Sequence, residues 1–256
     1  MRILVTNDDG IHAPGLGVAE KIAHSLSDDV WVVAPEIEQS GASHSLTLTS
    51  PLRLRAITER RFAVNGTPTD CVMMAVLHLL KDHPPELVLS GVNCGSNVGD
   101  DVTYSGTIAG AMEGCALNIP SIAMSQALDE DNRDKVDWSA GETHGPILIR
   151  RLVEAGWPEG TLINVNFPGC AADQVAGTAL VPQGRYDMQS TEIHQRMDVR
   201  GRHYYWIGLR RRKAMPPADS DVGAVYAGNR ISVTPLHMNL TDVGALAKLR
   251  QSLGEK

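Results

Sequence analysis

Residues 1–10 read Met1-Arg2-Ile3-Leu4-Val5-Thr6-Asn7-Asp8-Asp9-Gly10. The unbroken run Ile3-Leu4-Val5 suits a strand buried on both faces, since a strand with one wet face alternates apolar and polar residues. Arg2–Thr6 is therefore read as a strand, and Asp8 and Asp9 stand just past its carboxyl end. From about Gly15 to Leu26, the residues Val18, Ala19, Ile22, Ala23 and Leu26 recur at helical spacing, so one face can pack on a sheet. Val30–Ala34 is the next strand, stopped by Pro35. Gly66-Thr67-Pro68-Thr69-Asp70 marks a helix start, because Thr67 can cap it and Pro68 fits its first turn. Val72, Met73, Val76, Leu77 and Leu80 form that helix's apolar stripe. Leu87–Ser90 and Ile122–Ser125 are further strands, with a helix beginning near Ser105 between them. Such alternation predicts an α/β fold: a Rossmann-like, mostly parallel sheet with helices on both faces.

The second half changes character. After the polar, acidic stretch Asp129–Asp137, a helix is expected near Ile147–Ala155 and a strand at Leu162–Asn166. Residues Pro182–Pro217 are rich in Arg. Within them, Arg202–Leu209 carries β-type residues on two apolar faces: Tyr205, Ile207 and Leu209 on one, Tyr204 and Trp206 on the other. The flanking Arg200–Arg202 and Arg210–Lys213 oppose deep burial of its ends. A protruding β-hairpin arm laid across another subunit satisfies both features. The expected division is a Rossmann-like core, 1–181, and a C-terminal extension, 182–256, that carries the arm and returns to the core.

Composition bounds the function. A chain of 256 residues, 43% hydrophobic and 21% charged, suits a soluble globular enzyme. A formal net charge of -7 argues against a binder of nucleic-acid duplexes or membranes, which needs basic patches. The apolar run at the N-terminus is too short for a signal peptide. No later stretch approaches the roughly 20 apolar residues of a membrane span, so a cytoplasmic location is expected. Cys71, Cys94, Cys115 and Cys170 form no C-x-x-C pair. Four buried, reduced thiols are the expectation, rather than a zinc cage or a disulfide framework.

Ligands of open α/β sheets bind beyond the carboxyl ends of the strands. Three strand ends here carry polar, glycine-containing loops: Asn7-Asp8-Asp9-Gly10, Glu38-Gln39-Ser40-Gly41-Ala42-Ser43, and Gly91-Val92-Asn93-Cys94-Gly95-Ser96-Asn97. They should converge on one edge of the sheet. Adjacent aspartates repel each other, so without a cation one tends to stay protonated. Both reach one ion only if the chain has left the strand, and Gly10 makes such a turn easy. Carboxylate, hydroxyl and amide oxygens suit magnesium, manganese or calcium better than zinc. The plainer reading is a solvated loop whose aspartates cap and turn. Tyr104-Ser105-Gly106-Thr107 opens a helix rich in small residues, and a helix start favours a phosphate. A plain N-cap at Ser105 explains the same residues.

Together, Asn7-Asp8-Asp9-Gly10, Ser40-Gly41-Ala42-Ser43, Gly66-Thr67-Pro68-Thr69-Asp70, Ser90-Gly91-Val92-Asn93 and Tyr104-Ser105-Gly106-Thr107 closely resemble the SurE (survival protein E) family of 5'-nucleotidases. The resemblance runs over about the first 125 residues; Asn164-Val165-Asn166-Phe167-Pro168 and Thr234-Pro235-Leu236 extend it weakly. Cys94 departs from it, standing where alanine or another small residue is expected. The resemblance implies a nucleoside monophosphate phosphatase with one divalent metal, whose ligands fall by motif on Asp8, Asp9, Ser40 and Asn93. It also implies C-terminal arms exchanged within homodimers or homotetramers, and substrates that include 5'- and 3'-nucleotides and, for some members, polyphosphate. On this reading Asp8 and Asp9 are catalytic as well as metal-binding. Asn7, Gly41, Ser43, Asn97, Ser105, Gly106 and Thr107 form the phosphate cradle. Loss of the Ser105 or Thr107 hydroxyl is then expected to weaken phosphate more than metal. No residue stands out as the acid for the leaving group.

Three other readings compete. A phosphoaspartyl enzyme requires D-x-D-x-[TV], but Asp9 is followed by Gly10 and Ile11. A dinucleotide-dependent oxidoreductase requires G-x-G-x-x-G after the first strand, which is missing. A non-catalytic nucleotide sensor would keep the pocket without turnover.

Overall fold

The computed structural model describes residues 1–129, 136–185, 191–209 and 217–254. The chain runs β1 (Ile3–Thr6), α1 (Pro14–His24), β2 (Val30–Pro35), β3 (Leu54–Thr58), β4 (Arg61–Val64) and α2 (Pro68–Met74). It continues with β5 (Leu87–Cys94), α3 (Gly106–Ala116), β6 (Ser121–Gln126), α4 (Ser139–Ala155), β7 (Thr161–Phe167) and β8 (Thr178–Leu180). The last part holds β9 (Thr191–Met197), β10 (His203–Leu209), α5 (Asp221–Tyr226), β11 (Ile231–His237) and α6 (Val243–Leu253). Among the described residues, nine strands form one sheet in the order β3-β4-β2-β1-β5-β6-β7-β11-β8. The inner strands β4, β2, β1, β5, β6 and β7 are parallel; β3 and β11 run antiparallel to their neighbours β4 and β7.

Side chains of successive residues in β1 point to opposite faces, and both faces are covered. Ile3 and Val5 belong to the core shared with Leu16, Ile22 and Ile149 of α1 and α4, while Leu4 packs with Cys71, Val72 and Ala75 on the α2 side. The same division separates Leu87 and Leu89 from Val88 in β5. This two-sided burial explains why the strands read as continuous apolar runs.

From β1 the chain first adds β2 on one side and later β5 on the other, so the strand order reverses at β1. A crevice opens at such a switch point, outside the carboxyl ends of the strands. Asp8, Asp9 and Asn93 lie at that end of β1 and β5.

Sequence periodicity missed β3, β4, β8, β11, α5 and α6. The tail does return to the sheet, with β11 between β7 and β8. β9 and β10 form a separate two-stranded antiparallel sheet, the expected arm. Its Tyr204, Tyr205, Trp206 and Ile207 are all exposed. The basic flank Arg210–Lys213 and most of the acidic stretch after Asp129 lie outside the described residues.

The cysteine expectation needs correction. All four thiols are free, but only Cys71 and Cys115 are buried; Cys94 is exposed and Cys170 half-buried. Cys94 is the last residue of β5, at the carboxyl end of the sheet. Among the described residues no helix is long and apolar enough to cross a membrane.

Candidate active site

Four hydrogen bonds gather the polar loops around Asp8 and Asp9. Gly10, with φ 100°, turns the chain directly after the pair, and the Ile11 amide donates to the Pro35 carbonyl (2.8 Å). The Gln39 amide donates to the Asp8 carbonyl (2.8 Å), which brings the Ser40 loop alongside. The Cys94 amide donates to Oδ2 of Asp9 (2.9 Å), joining the end of β5 to that of β1. The Thr107 hydroxyl donates to Oδ1 of Asp8 (2.6 Å), joining the first turn of α3 to the same point. Gly106 makes this approach sterically open, since a Cβ there would stand 2.8 Å from the Asp8 Cβ.

The expected convergence of loops is therefore realised, though individual side chains differ in what they do. Ser40 is exposed and its hydroxyl donates to Glu38 (2.7 Å). Asn93 donates from Nδ2 to the Gly95 carbonyl (2.8 Å), so its Oδ1 is the atom available for a ligand. Gly41 and Ser43 have φ of 75° and 52°. The Ser43 amide and hydroxyl donate to the carbonyls of Tyr104 (3.2 Å) and Thr103 (2.8 Å). The Ser105 hydroxyl caps α3 by accepting from the Ile108 amide (3.0 Å). The amides of Gly106 and Thr107 lie in the first helical turn, where the helix itself supplies no acceptor.

Two candidates are held inside the scaffold. Asn7 donates from Nδ2 to the Gly10 carbonyl (3.0 Å), while its buried Oδ1 has no hydrogen-bond partner among the described residues. Asn97 is buried and donates from Nδ2 to the Ser125 hydroxyl (2.9 Å). Its amide donates to Oδ1 of Asn166 (2.7 Å), and its carbonyl accepts from Asn164 (2.8 Å). Gly66–Asp70 also proves to be scaffold. Asp70 and Thr67 form a reciprocal cap, and Asp70 accepts from the amide and hydroxyl of Thr47, fastening the loop after Ser43.

Electrostatics single out the aspartate pair. Burial pushes the Asp8 carboxyl up, with the Thr107 hydrogen bond offsetting part of the effect. Burial pushes Asp9 up to about 6; the Cys94 amide lowers it, while the charges of Asp8 and Glu38 raise it further. Sequence reading missed Glu38, whose only local signal was its place in the Ser40 loop. Among the described residues neither Asp8 nor Asp9 has a cationic side-chain partner. Buried like charges without a counter-charge are costly, and a hard dication would remove that cost. Carboxylate, hydroxyl and amide oxygens fit such an ion better than zinc; no cluster of three or more His, Cys, Asp or Glu that could hold a metal stands among the described residues.

The carboxylate pair stands at the switch point of a Rossmann-like sheet and faces a helix start, which is the layout of a doubly wound α/β protein with its polar loops gathered at the carboxyl ends of the strands. Comparison with known proteins gives the family. The family model for Survival protein SurE matches residues 3–190. A protein named 5'-nucleotidase SurE from Parvibaculum lavamentivorans is 55% identical over 99% of this chain and 91% of its own. One of the same name from Azorhizobium caulinodans is 57% identical over 98% of each chain. The crystal structure of the SurE protein from Aquifex aeolicus superposes with a TM-score of 0.84 at 35% identity, covering 99% of this chain and 100% of that one. This chain belongs to the SurE family.

Proposed function

We propose that the chain is a 5'-nucleotidase, a phosphoric monoester hydrolase that releases phosphate from nucleoside monophosphates with one divalent cation. The curated relatives carry that name at 55–57% identity over nearly their full length. The observation that carries the metal dependence is the repelling pair of buried Asp8 and half-buried Asp9, without a cation among the described side chains. Asp8, Asp9, Ser40 and Asn93 would hold magnesium, manganese or calcium. A bound dication supplies Lewis-acid polarisation of a phosphate oxygen and acidifies water. The chain's own part is positioning. Thr107 and the Cys94 amide orient the two carboxylates, and the Gly106 and Thr107 amides offer donors to a phosphate at the positive end of α3. Gly41 and Ser43 lie beside this helix start through the bonds to Thr103 and Tyr104. Asn7 and Asn97 support the loops.

On the same reading the substrates extend to 3'-nucleotides and polyphosphate. Residues 1–181 are the catalytic core, and 182–256 carry the arm of a homodimer or homotetramer working in the cytoplasm. The test is phosphate release by purified protein over a panel of nucleotides and divalent ions. Asp8→Asn and Asp9→Asn should each lower kcat by about 100-fold or more with the circular dichroism spectrum retained. Full turnover in excess chelator, or wild-type turnover in both variants, would overturn the proposal.

A further inference from the structure

The loop between Asn93 and Ser105 joins the proposed metal ligand on β5 to the proposed phosphate cradle on α3. Its fastening comes from an unexpected place. Asp221, the first residue of α5, is 0% exposed and carries a carboxylate. Its Oδ2 accepts from the Gly99 amide (2.9 Å), and its Oδ1 accepts from the Gly184 amide (2.7 Å) and the Val222 amide (2.8 Å). One turn on, the Tyr226 hydroxyl meets the Ser96 hydroxyl at 2.6 Å. Val98 is buried against Val222 and Val225 of the same helix. Gln183, beside Gly184, donates to the Gly99 carbonyl (2.8 Å). One carboxylate therefore ties the loop to the segments just before and just after the arm.

We propose that Asp221 and Tyr226 are positioning residues of the hydrolase site: α5 sets the 95–105 loop and, through it, the register between Asn93 and Ser105–Thr107. This rests on the functional reading above. A carboxylate is the fitting group, because it accepts several backbone hydrogen bonds at once and those bonds are charge-assisted. An amide side chain turns one acceptor into a donor facing an N–H. Displacement of two ends of a catalytic loop by a fraction of an ångström to an ångström is enough to cost turnover without unfolding the protein.

The experiment uses the full-length protein with saturating divalent cation. Wild-type phosphate release from a nucleoside monophosphate is measured first; its failure would count against the proposed function and not against this role. Asp221→Asn, Asp221→Ala and Tyr226→Phe are then compared with Ile149→Val, a core variant on α4 remote from the loop, at equal margin below each Tm. The expected result is a graded loss of kcat: at least tenfold for Asp221→Ala, less for Asp221→Asn and severalfold for Tyr226→Phe. Inhibition by inorganic phosphate should weaken in parallel, while Ile149→Val stays within about twofold of wild type. If the Asp221 variants do not fold, Tyr226→Phe decides, since it deletes one hydroxyl. Wild-type kcat and phosphate inhibition in folded Asp221 variants would overturn the proposal. So would wild-type values in Tyr226→Phe where it alone folds, or losses no larger than those of Ile149→Val.

Discussion

A half-buried carboxylate beside another carboxylate favours its neutral form, and Asp9 accordingly titrates at about 6. The folded state then binds a proton more tightly than the unfolded chain, whose value is 3.8. The associated stability is fully present below 3.8 and is lost as pH rises through about 6. In metal-free protein, Asp9→Asn should therefore rise in Tm relative to wild type between pH 4 and pH 6 and hold that rise above it. Saturating divalent cation should reverse the order at pH 7, because only wild type gains the ion's attraction. Thermal melts of both proteins with chelator or cation check this; a pH-independent difference would show that Asp9 is not the titrating group. The residue types at this scale were legible, since adjacent aspartates after a buried strand announce a charge problem. Their partners were not. Thr107 is 99 positions from Asp8 and Cys94 is 85 from Asp9.

The start of α3 shows how one element can do several jobs within one turn. Ser105 caps the helix, Gly106 admits Asp8, and Thr107 holds the Asp8 carboxylate. The equal treatment of Ser105 and Thr107 expected from sequence gives way to two different outcomes. Ser105→Ala should cost about 1 kcal/mol of stability through the lost cap and weaken phosphate or vanadate severalfold, with metal affinity near wild type. Thr107→Val should weaken both metal and phosphate, because Oδ1 of Asp8 loses its donor in a buried setting. Isothermal titration with the cation alone and then with phosphate separates the two. Helices α2 and α3 were readable from caps and periodicity, as Thr67, Pro68 and Ser105 show, whereas α5 and α6 were not. The short edge strands were not: β3 is exposed along most of its length, and β8 spans three residues.

Among the described residues nothing covers the apolar side chains of the hairpin arm. Tyr205, Trp206 and Ile207 are 59%, 65% and 69% exposed, on both faces of a two-stranded ribbon. Isolated hairpins are marginal in water, and large exposed apolar patches mark interaction surfaces. Replacing residues 191–209 with a short glycine-serine linker should yield smaller particles in light scattering while the sheet's circular dichroism persists. A monomeric intact protein at micromolar concentration would count against the arm as an assembly element.

The amino-acid sequence alone determined the alternating buried strands and amphipathic helices, because two-sided burial imposes unbroken apolar runs and one-sided packing imposes helical spacing. It also determined which oxygen-bearing residues sit at strand ends. The tertiary structure decided the rest. Strand order placed β1 beside β5 and made their carboxyl ends one crevice. Chain crossing put Asn97 into the scaffold and brought α5 from the far end of the chain to hold its loop. Such long-range partners leave no local periodicity, since hydrogen bonds between distant loops depend on how the sheet is ordered and not on the spacing of residues along the chain.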